Sequence, residues 1–470
     1  MVVGDIDLGT DILVIGAGPA GYTLAILCAK KGMDVTMVHD GMLGGICLQR
    51  GCIPIKTIEH SLDIAKMCKN AARFGVNVKD VSVDLNGVYA WKDKVVKKLE
   101  SGLSQLCSAS GVQVLEGRCS FLSSYKAKVE GKTGTQRIDF NRAVIATGST
   151  YKPLPDVPFD GATIIAPDDA LDFKSVPEDI VILGRGYIGA TMGTYMVKLG
   201  PKVTMATSGD RLLTNIDEEI VKPVLDHFEK NGAKIYYNAS WSVEKTTDGA
   251  RIRLKTGDGE RTVETKKLMV AIGSLGNVKG LGLENTKVEL KKNDFIKVDD
   301  HFKTADPSIY AIGDVDGKIR NASNAFREAM SLAEMLSGNP GLPEPVSLPF
   351  TLSSDPEIAA VGMSENEARD AGIDVITGKF PFLANGKAVG MGETDGMVKV
   401  VAEKETHRIL GVQIVGPKAL AISDESLLAL EMGAKLEDIY LTIHPHPTVS
   451  EALHDACAMA LGKSINSPKQ

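Results

Sequence analysis

The chain has 470 residues, which is too long for one ordinary domain, and a prior of about 150 residues per domain suggests roughly three. Its composition, 43% hydrophobic and 24% charged, excludes disordered, collagen-like and small disulfide-rich proteins. The formal net charge of −7 argues against binding to nucleic acid or to a membrane surface.

The beginning of the chain is acidic. Residues 1–11 contain Asp5, Asp7 and Asp11 without Lys or Arg, which is the opposite of a signal or transit peptide. The most apolar stretch, 12–29, is interrupted by glycines and a proline, so it is not expected to span a membrane. Seven cysteines without framework spacing are typical of a reducing cytosol. We therefore expect a cytoplasmic protein.

The first predicted elements are a buried strand over 11–15, a helix that ends at Lys30 and a strand over 35–38. Between the first strand and the helix lies a glycine turn, Gly16, Ala17, Gly18, Pro19, Ala20 and Gly21. This order of elements is the dinucleotide-binding form of a parallel sheet. The glycines allow the backbone to approach a pyrophosphate, whose charge meets the N-terminal dipole of the helix.

A motif with two cysteines follows, from Gly44 to Lys56. Cys47 and Cys52 stand five residues apart at the start of a predicted helix, where they can approach within disulfide distance. A helix N-terminus and a nearby lysine lower a thiol pKa, so the pair can be redox-active. The alternatives are two buried apolar cysteines or half of a metal site. No metal site is expected, because no second Cys/His pair with ligand spacing is found.

The first pattern of strand, glycine turn, helix and strand then returns. A strand is predicted over 179–183, a helix that ends at Leu199 and a strand over 203–206. The turn consists of Gly184, Arg185, Gly186, Tyr187, Ile188 and Gly189. Two copies predict two nucleotide-binding domains.

Proline-rich segments at 150–158 and 338–349 predict domain boundaries. After the second one, strands are expected over 358–362, 398–402 and 410–415. Helices are expected over 423–432 and 449–461. This order predicts an α+β domain of about 120 residues.

His446 and Glu451 stand five residues apart near the C-terminus. A glutamate that accepts from one imidazole nitrogen fixes the tautomer and raises the basicity of the other nitrogen. Such a histidine can shuttle a proton between thiols. The alternative is a surface histidine near a helix cap.

Together these motifs resemble the pyridine nucleotide–disulfide oxidoreductase family over essentially the whole chain. Further matching segments are 146–149, 311–314 and 444–451. The resemblance implies an α/β fold with two doubly wound dinucleotide-binding domains. An FAD domain would cover 1–152 and 277–345, an NAD domain 153–276, and a C-terminal α+β dimer-interface domain 346–470.

The resemblance also implies roles for single residues. Cys52 faces the flavin, Cys47 exchanges with the substrate disulfide, and His446 reaches the disulfide of the opposite subunit, so that a homodimer shares its active sites. His444 is the weaker candidate, because its spacing to Glu451 does not match the family. Asp314 binds the flavin ribityl chain. The other implied flavin contacts, besides the first glycine turn, are His39, Asp40, Gly44, Gly45, Lys56, Gly117, Ala146, Thr147, Gly148, Gly313 and Ala322.

The implied activity is oxidation of protein-bound dihydrolipoyl groups through the cysteine pair and FAD to NAD. The partner would be the lipoyl-bearing subunit of a 2-oxoacid dehydrogenase or glycine cleavage complex. Glutathione-type and mercuric-ion reductases are alternatives, and the latter is disfavoured because residues 464–470 contain no cysteine pair. A non-catalytic flavin-binding subunit is the alternative from another class.

Several positions depart from the family. His39 replaces the acid expected at the adenosine ribose, where Asp40 can substitute, and Thr191 replaces a glutamate that pairs with Lys56. The implied nicotinamide-dinucleotide contacts are Gly184, Gly186, Tyr187, Ile188, Gly189, Thr207 and Gly273. Among them Thr207 replaces an acid, and Ser274 replaces an arginine after Gly273. Because residues 207–210 carry no positive charge, we expect weak binding that prefers NAD over NADP.

Overall fold

The computed structural model describes residues 8–132 and 134–466, so Asp5 and Asp7 of the acidic beginning lie outside the described residues. The α-helices of the described residues are α1 (Pro19–Lys30), α2 (Gly45–Gln49), α3 (Cys52–Asn70), α4 (Leu85–Ala109), α5 (Tyr187–Leu199), α6 (Glu218–Lys230), α7 (Ala322–Leu336), α8 (Glu365–Asp370), α9 (Gly386–Met391), α10 (Ala419–Glu431), α11 (Leu436–Leu441) and α12 (Glu451–Ala460).

The strands in the first part of the described chain are β1 (Leu8–Ile15), β2 (Val35–His39), β3 (Gln113–Glu116), β4 (Arg118–Ser123), β5 (Lys126–Gly131), β6 (Gly134–Ile145), β7 (Ser149–Tyr151), β8 (Ile164–Ile165), β9 (Asp179–Leu183), β10 (Lys202–Ala206) and β11 (Lys234–Tyr236). Those that follow are β12 (Ser240–Thr246), β13 (Gly249–Thr256), β14 (Gly259–Thr265), β15 (Lys267–Val270), β16 (Ser274–Gly276), β17 (Ile309–Ala311), β18 (Phe350–Leu352), β19 (Glu357–Gly362), β20 (Val375–Pro381), β21 (Met397–Glu403) and β22 (Ile409–Gly416).

The described residues divide into two compact units. The first comprises the residues up to Lys152, together with Asp168–Ser175 and Gly273–Pro343. The second comprises Pro153–Pro167, Val176–Ile272 and the residues from Glu344 onward. This grouping does not separate 153–276 from 346–470, and the three-domain boundaries drawn from the sequence stay a prediction.

The first unit is built on a seven-stranded sheet in which β1 lies between β2 and β6 and is parallel to both. Ile12 and Val14 pack into one core cluster with residues of α1 and α7. Leu13 and Ile15 belong to a second cluster, formed with the antiparallel extension β4–β5. A strand buried on both faces explains the continuous apolar run that predicted β1.

The second unit contains a five-stranded parallel sheet in the order β11-β10-β9-β15-β8 and a three-stranded sheet β12-β13-β14. Its C-terminal part is an antiparallel sheet in the order β18-β19-β22-β21-β20. Buried residues of α10 and α12, among them Ile422 and Leu453, join Val400 and Ile414 of this sheet in one apolar core. No helix among the described residues is long and apolar enough to cross a membrane.

The elements predicted from the sequence are confirmed to within a few residues, and so is the fold class. Strand β9 has the predicted bounds, and α1 and α5 end at the predicted Lys30 and Leu199. One expectation is wrong: the two cysteines do not open a single helix. Cys47 lies on α2 and Cys52 begins α3, because the chain leaves helical geometry at Arg50, with φ −144° and ψ 16°, and at Gly51, with φ −135° and ψ −111°.

Candidate active site

The cysteine pair lies beside the first glycine turn. The Gly44 N–H donates to Ala17 O at 2.8 Å, and a Cβ built on Gly45 would stand 2.6 Å from the Gly18 Cα. Gly44 and Gly45 have φ of 90° and 64°, a region that only glycine occupies without strain. The backbones of the two motifs therefore touch, and side chains at these positions would separate them.

The two thiols have opposite protonation preferences. Both cysteines are free, and a hydrogen bond from the Cys47 thiol lowers the pKa of Cys52 to about 7, with further help from a backbone N–H and the Lys56 ammonium. The same hydrogen bond raises the pKa of Cys47, and burial adds to the effect. The reduced pair is thus a Cys47 thiol that donates to a Cys52 thiolate. Cys52, at the first position of α3, also benefits from the helix dipole.

The residues of the first glycine turn fit FAD. Gly16 has φ 107°, and a Cβ there would overlap Ala146 O, while a Cβ on Gly21 would overlap Gly16 O. Thr147 Oγ1 is buried and has no hydrogen-bond partner among the described residues. A cradle that excludes side chains and leaves a buried hydroxyl oxygen unpaired matches a dinucleotide that approaches the backbone closely.

Asp314 lies at the carboxyl end of β17, in a short 3-10 helix, Gly313–Asp316. A Cβ on Gly313 would stand 3.0 Å from Ala20 Cβ, so Asp314 lies near the glycine turn. Its Oδ2 accepts from Ser149 Oγ at 3.1 Å. Burial raises the pKa of Asp314, against the effects of Ser149 and Arg320. Asp314 also acts electrostatically on both redox cysteines, which places it in the same site.

Sequence reasoning missed Glu328, which is 5% exposed on α7. One of its oxygens accepts from the Gly313 N–H at 2.6 Å and the other from Asn324 Nδ2 at 2.9 Å. Burial and the nearby Asp316 raise the pKa of Glu328 to about 7. The carboxyl group fixes the backbone immediately before Asp314. Asn324 lies in the first turn of α7, which begins at Ala322.

His39 ends β2, and its Nδ1 accepts from the Gly41 N–H at 3.1 Å. Burial lowers the pKa of His39, although Glu116 and Asp40 oppose the shift. The neutral ring therefore keeps its proton on Nε2. Asp40 is exposed next to it, and the Gly117 N–H donates to His39 O at 2.8 Å. With Nδ1 occupied by Gly41, His39 has one ring N–H left to donate, and the adjacent carboxylate acceptors are those of Asp40.

In the second unit, His446 Nδ1 lies 2.9 Å from Glu451 Oε1, and the Thr448 N–H donates to Glu451 Oε2 at 2.8 Å. Burial opposes ionisation of Glu451, but the hydrogen bonds from Thr448 and His446 lower its pKa. The His446 side chain is 79% exposed, which leaves Nε2 accessible. His444 is instead 7% exposed and has both ring nitrogens engaged, with Thr442 O and Glu425.

Comparison with known proteins agrees with this arrangement. Residues 10–329 match the family described as pyridine nucleotide-disulphide oxidoreductase, and residues 348–457 match its dimerisation domain. The chain belongs to the pyridine nucleotide-disulphide oxidoreductase family. The resemblance found in the sequence is thereby confirmed, and the dimerisation domain supports a homodimer.

Relatives within this oxidoreductase family match along their full length. Dihydrolipoyl dehydrogenase 2 of Haloarcula marismortui is 39% identical over 475 residues, 99% of this chain and 100% of the relative. Dihydrolipoyl dehydrogenase of Geobacillus stearothermophilus is 37% identical over 467 residues, 99% of each chain. The crystal structure of LpdA from Mycobacterium tuberculosis aligns with a TM-score of 0.88 at 26% identity, over 95% of this chain and 99% of that chain.

The second glycine turn of this oxidoreductase, residues 184–189, joins β9 to α5. Gly184 has φ 148°, and a Cβ there would overlap Ala271 O, so the close packing of the first turn is repeated. Tyr187 begins α5, and its ring meets that of Phe350 edge to face at 6.0 Å. Thr207 is 1% exposed, and its Oγ1 accepts from the Gly209 N–H at 3.1 Å. The residue thus stabilises its own loop.

Two further departures have local consequences. Thr191 is 6% exposed, and its Oγ1 has no hydrogen-bond partner in the part of the chain that the structure describes. Gly273 has φ 129°, and Ser274 begins β16, which pairs with β7 in the first unit. Gly273 therefore falls in a different unit from the other implied nicotinamide contacts.

Three carboxylates in the second unit lie close enough to hold a metal ion: Asp217, Glu219 and Glu365. The Lys399 ammonium, 3% exposed, instead lies among them at 2.6, 2.7 and 2.8 Å. Burial alone would lower the pKa of Lys399, but the three carboxylates raise it. This group is a buried ion-pair network that joins the start of α6 to β21 and α8.

Proposed function

We propose that the chain is a dihydrolipoyl dehydrogenase, which oxidises protein-bound dihydrolipoyl groups. The observation that carries the proposal is the Cys47–Cys52 pair with its opposite pKa shifts, beside a glycine cradle and Asp314. The full-length relatives named dihydrolipoyl dehydrogenase support the substrate class. When bound, FAD supplies a two-electron acceptor beside Cys52, and a nicotinamide dinucleotide supplies the final hydride acceptor.

In the oxidised protein, Cys47 and Cys52 would form a disulfide. A dihydrolipoyl thiolate attacks Cys47 Sγ, so that a mixed disulfide forms and Cys52 leaves as a thiolate. The second lipoyl thiol then loses its proton and its sulfur attacks the first, which breaks the bond to Cys47 Sγ and releases the lipoyl disulfide. Cys47 takes up that proton, and the two electrons stay on the cysteine pair. The resulting state, a Cys47 thiol that donates to a Cys52 thiolate, is the one favoured by the pKa shifts.

His446 of the partner subunit would accept the proton of the attacking dihydrolipoyl thiol at Nε2. Glu451 holds Nδ1 at 2.9 Å, which fixes the tautomer with a free Nε2 lone pair. The exposure of the His446 ring supports a role toward a second subunit. The partner protein would be the lipoyl-bearing subunit of a 2-oxoacid dehydrogenase or glycine cleavage complex, and a nicotinamide dinucleotide is the proposed acceptor.

The test is lipoamide-dependent turnover by the purified flavoprotein. We expect the wild type to oxidise dihydrolipoamide with a nicotinamide dinucleotide and Cys47→Ser to lose this activity. Cys68→Ser is the matched control, because Cys68 is a free thiol toward the other end of α3. Turnover that survives Cys47→Ser, or a flavin-loaded protein that is inactive with dihydrolipoamide, would contradict the proposal. The second result would favour a non-catalytic flavin-binding subunit.

A further inference from the structure

The loop after β10 lies where a dinucleotide fold recognises the adenosine ribose. In this fold an acid at the end of the second strand binds the 2′-hydroxyl of NAD, whereas a nearby arginine accommodates the 2′-phosphate of NADP. Here Thr207 follows β10 directly, is buried, and accepts from the Gly209 N–H. Two backbone hydrogen bonds fix the same loop, from Ala239 N to Thr207 O at 2.9 Å and from Asn238 N to Gly209 O at 2.8 Å. Thr207 is therefore not available as a ribose ligand.

A guanidinium group lies against this loop. Arg185 comes from the second glycine turn, and its exposed side chain extends to Gly209, where a Cβ would overlap Nη1 and stand 3.3 Å from Cζ. The absence of a Cβ at Gly209 thus makes room for the guanidinium. The Arg185 backbone is fixed in turn, because its carbonyl accepts from the Leu213 N–H at 3.0 Å.

The charge of Arg185 is uncompensated. Within residues 8–132 and 134–466, no carboxylate forms an ion pair with the Arg185 guanidinium. This includes the carboxylate of Asp210, which lies in the same loop. Arg211, the other cation nearby, points elsewhere: it donates to Thr214 O and to Ile216 O, the latter at 3.0 Å. A guanidinium without a carboxylate, between the glycine turn and the ribose loop, has the chemistry that a phosphate ester requires.

We propose that Arg185 makes the second dinucleotide site selective for the 2′-phosphate of NADP(H). This inference rests on the proposed function, since it names the nucleotide taken by that enzyme's second glycine turn. It reverses the preference for NAD expected from the sequence, which rests on the absence of positive charge at residues 207–210. The missing positive charge comes from Arg185, which is more than twenty positions earlier in the chain.

Nucleotide fragments test the proposal without turnover. By calorimetry on the flavin-loaded protein, 2′,5′-ADP should bind at least about ten-fold more tightly than 5′-AMP, as expected for a charge-assisted bidentate contact. Arg185→Gln should abolish that difference while 5′-AMP binding is retained. Lys202→Gln, which removes an exposed charge at the opposite end of β10, should leave the difference intact.

Gly209→Ala separates position from charge, because the added Cβ displaces the guanidinium without removing it. We expect this variant to lose most of the preference for 2′,5′-ADP. Equal affinities of the wild type for the two fragments would overturn the proposal, as would an equal loss of both in Arg185→Gln. Lipoamide turnover keeps the two hypotheses apart. A preference for 2′,5′-ADP in a protein without lipoamide activity supports the inference and refutes the proposed function, and the converse result refutes only the inference.

Discussion

Replacing Cys47 with alanine is expected to raise the pKa of the Cys52 thiol from about 7 to about 8 or 9. The hydrogen bond from Cys47 is the largest influence that lowers this pKa. A hydrogen bond to a charged group contributes about 1.5–3 kcal/mol, and about 1.4 kcal/mol corresponds to one pH unit. Loss of the donor therefore shifts the titration by about one to two pH units.

Two further variants rank the interactions that lower the pKa of Cys52. In Cys47→Ser the hydroxyl still donates to the thiolate, so the pKa of Cys52 should stay closer to 7 than in Cys47→Ala. Lys56→Met removes a charge that lies one helical turn from Cys52 on α3 and ranks behind the hydrogen bonds. Its effect should be smaller than that of Cys47→Ala.

The assay is the pH dependence of two independent signals in a Cys68→Ser background. One is the rate of alkylation of Cys52, and the other is the long-wavelength absorbance that a Cys52 thiolate gives against oxidised flavin. If Cys47→Ala and Cys47→Ser titrate at the same pH, the hydrogen bond does not set the pKa. If Lys56→Met shifts the curve more than Cys47→Ala, charge rather than hydrogen bonding dominates.

Three other perturbations test the remaining features. Because burial raises the pKa of Glu328 from 4.5 to about 7, its stabilising contribution is complete below pH 4.5 and is lost as the pH rises through 7. The free energy of unfolding of the wild type should thus fall by up to about 3 kcal/mol as the pH rises, which is followed through the thermal midpoint from pH 5 to 8. Glu328→Gln should remove this fall, and an unchanged pH profile in the variant would contradict the reasoning. His446→Ala should lower lipoamide turnover about 10²- to 10⁴-fold, and mixing with Cys47→Ser subunits should restore activity, because one of two shared sites is then intact. No recovery after verified subunit exchange would exclude sharing. Lys399→Met should destabilise the protein by about 3–5 kcal/mol in denaturant unfolding, since it leaves the buried Asp217 carboxylate without its ion-pair partner, whereas the exposed Lys379→Met should cost less than about 1 kcal/mol. Equal effects would show that burial of the network is unimportant.

The sequence was sufficient to predict features that depend on residues close together in the chain. Strands β1 and β9 end in continuous apolar runs, 12–15 and 180–183, directly before a glycine turn, so their position and type follow from a few consecutive residues. The pairing of His446 with Glu451 likewise depends on residues of one segment. The division between α2 and α3 was missed because both flanks of Gly51 favour a helix, and the break depends on that residue's backbone torsions.

Residues whose partners are distant in the chain could not be recognised from the sequence. Glu328 meets Gly313 only because α7 returns along the short helix that carries Asp314, and the two residues are fifteen positions apart in the chain. Lys399 meets three carboxylates from α8 and the beginning of α6. A lysine is unremarkable in the sequence of a strand, and these partners become evident only when the packing of α6 and α8 against the sheet is known.

The two dinucleotide sites differ in charge although they share one local hydrogen-bond arrangement. In each, a side chain at the carboxyl end of the second strand accepts from a glycine N–H two residues later. His39, the last residue of β2, accepts at Nδ1 from Gly41, and Thr207, directly after β10, accepts at Oγ1 from Gly209, both at 3.1 Å. Neither side chain therefore acts as the acid that would hold a ribose diol. If Arg185 selects the nucleotide as we propose, recognition of the sugar passes to the neighbouring charge, which is Asp40 in the first site and Arg185 in the second. A carboxylate accepts from hydroxyls and repels a phosphate, whereas a guanidinium binds a phosphate, so the same loop geometry would support two different nucleotides.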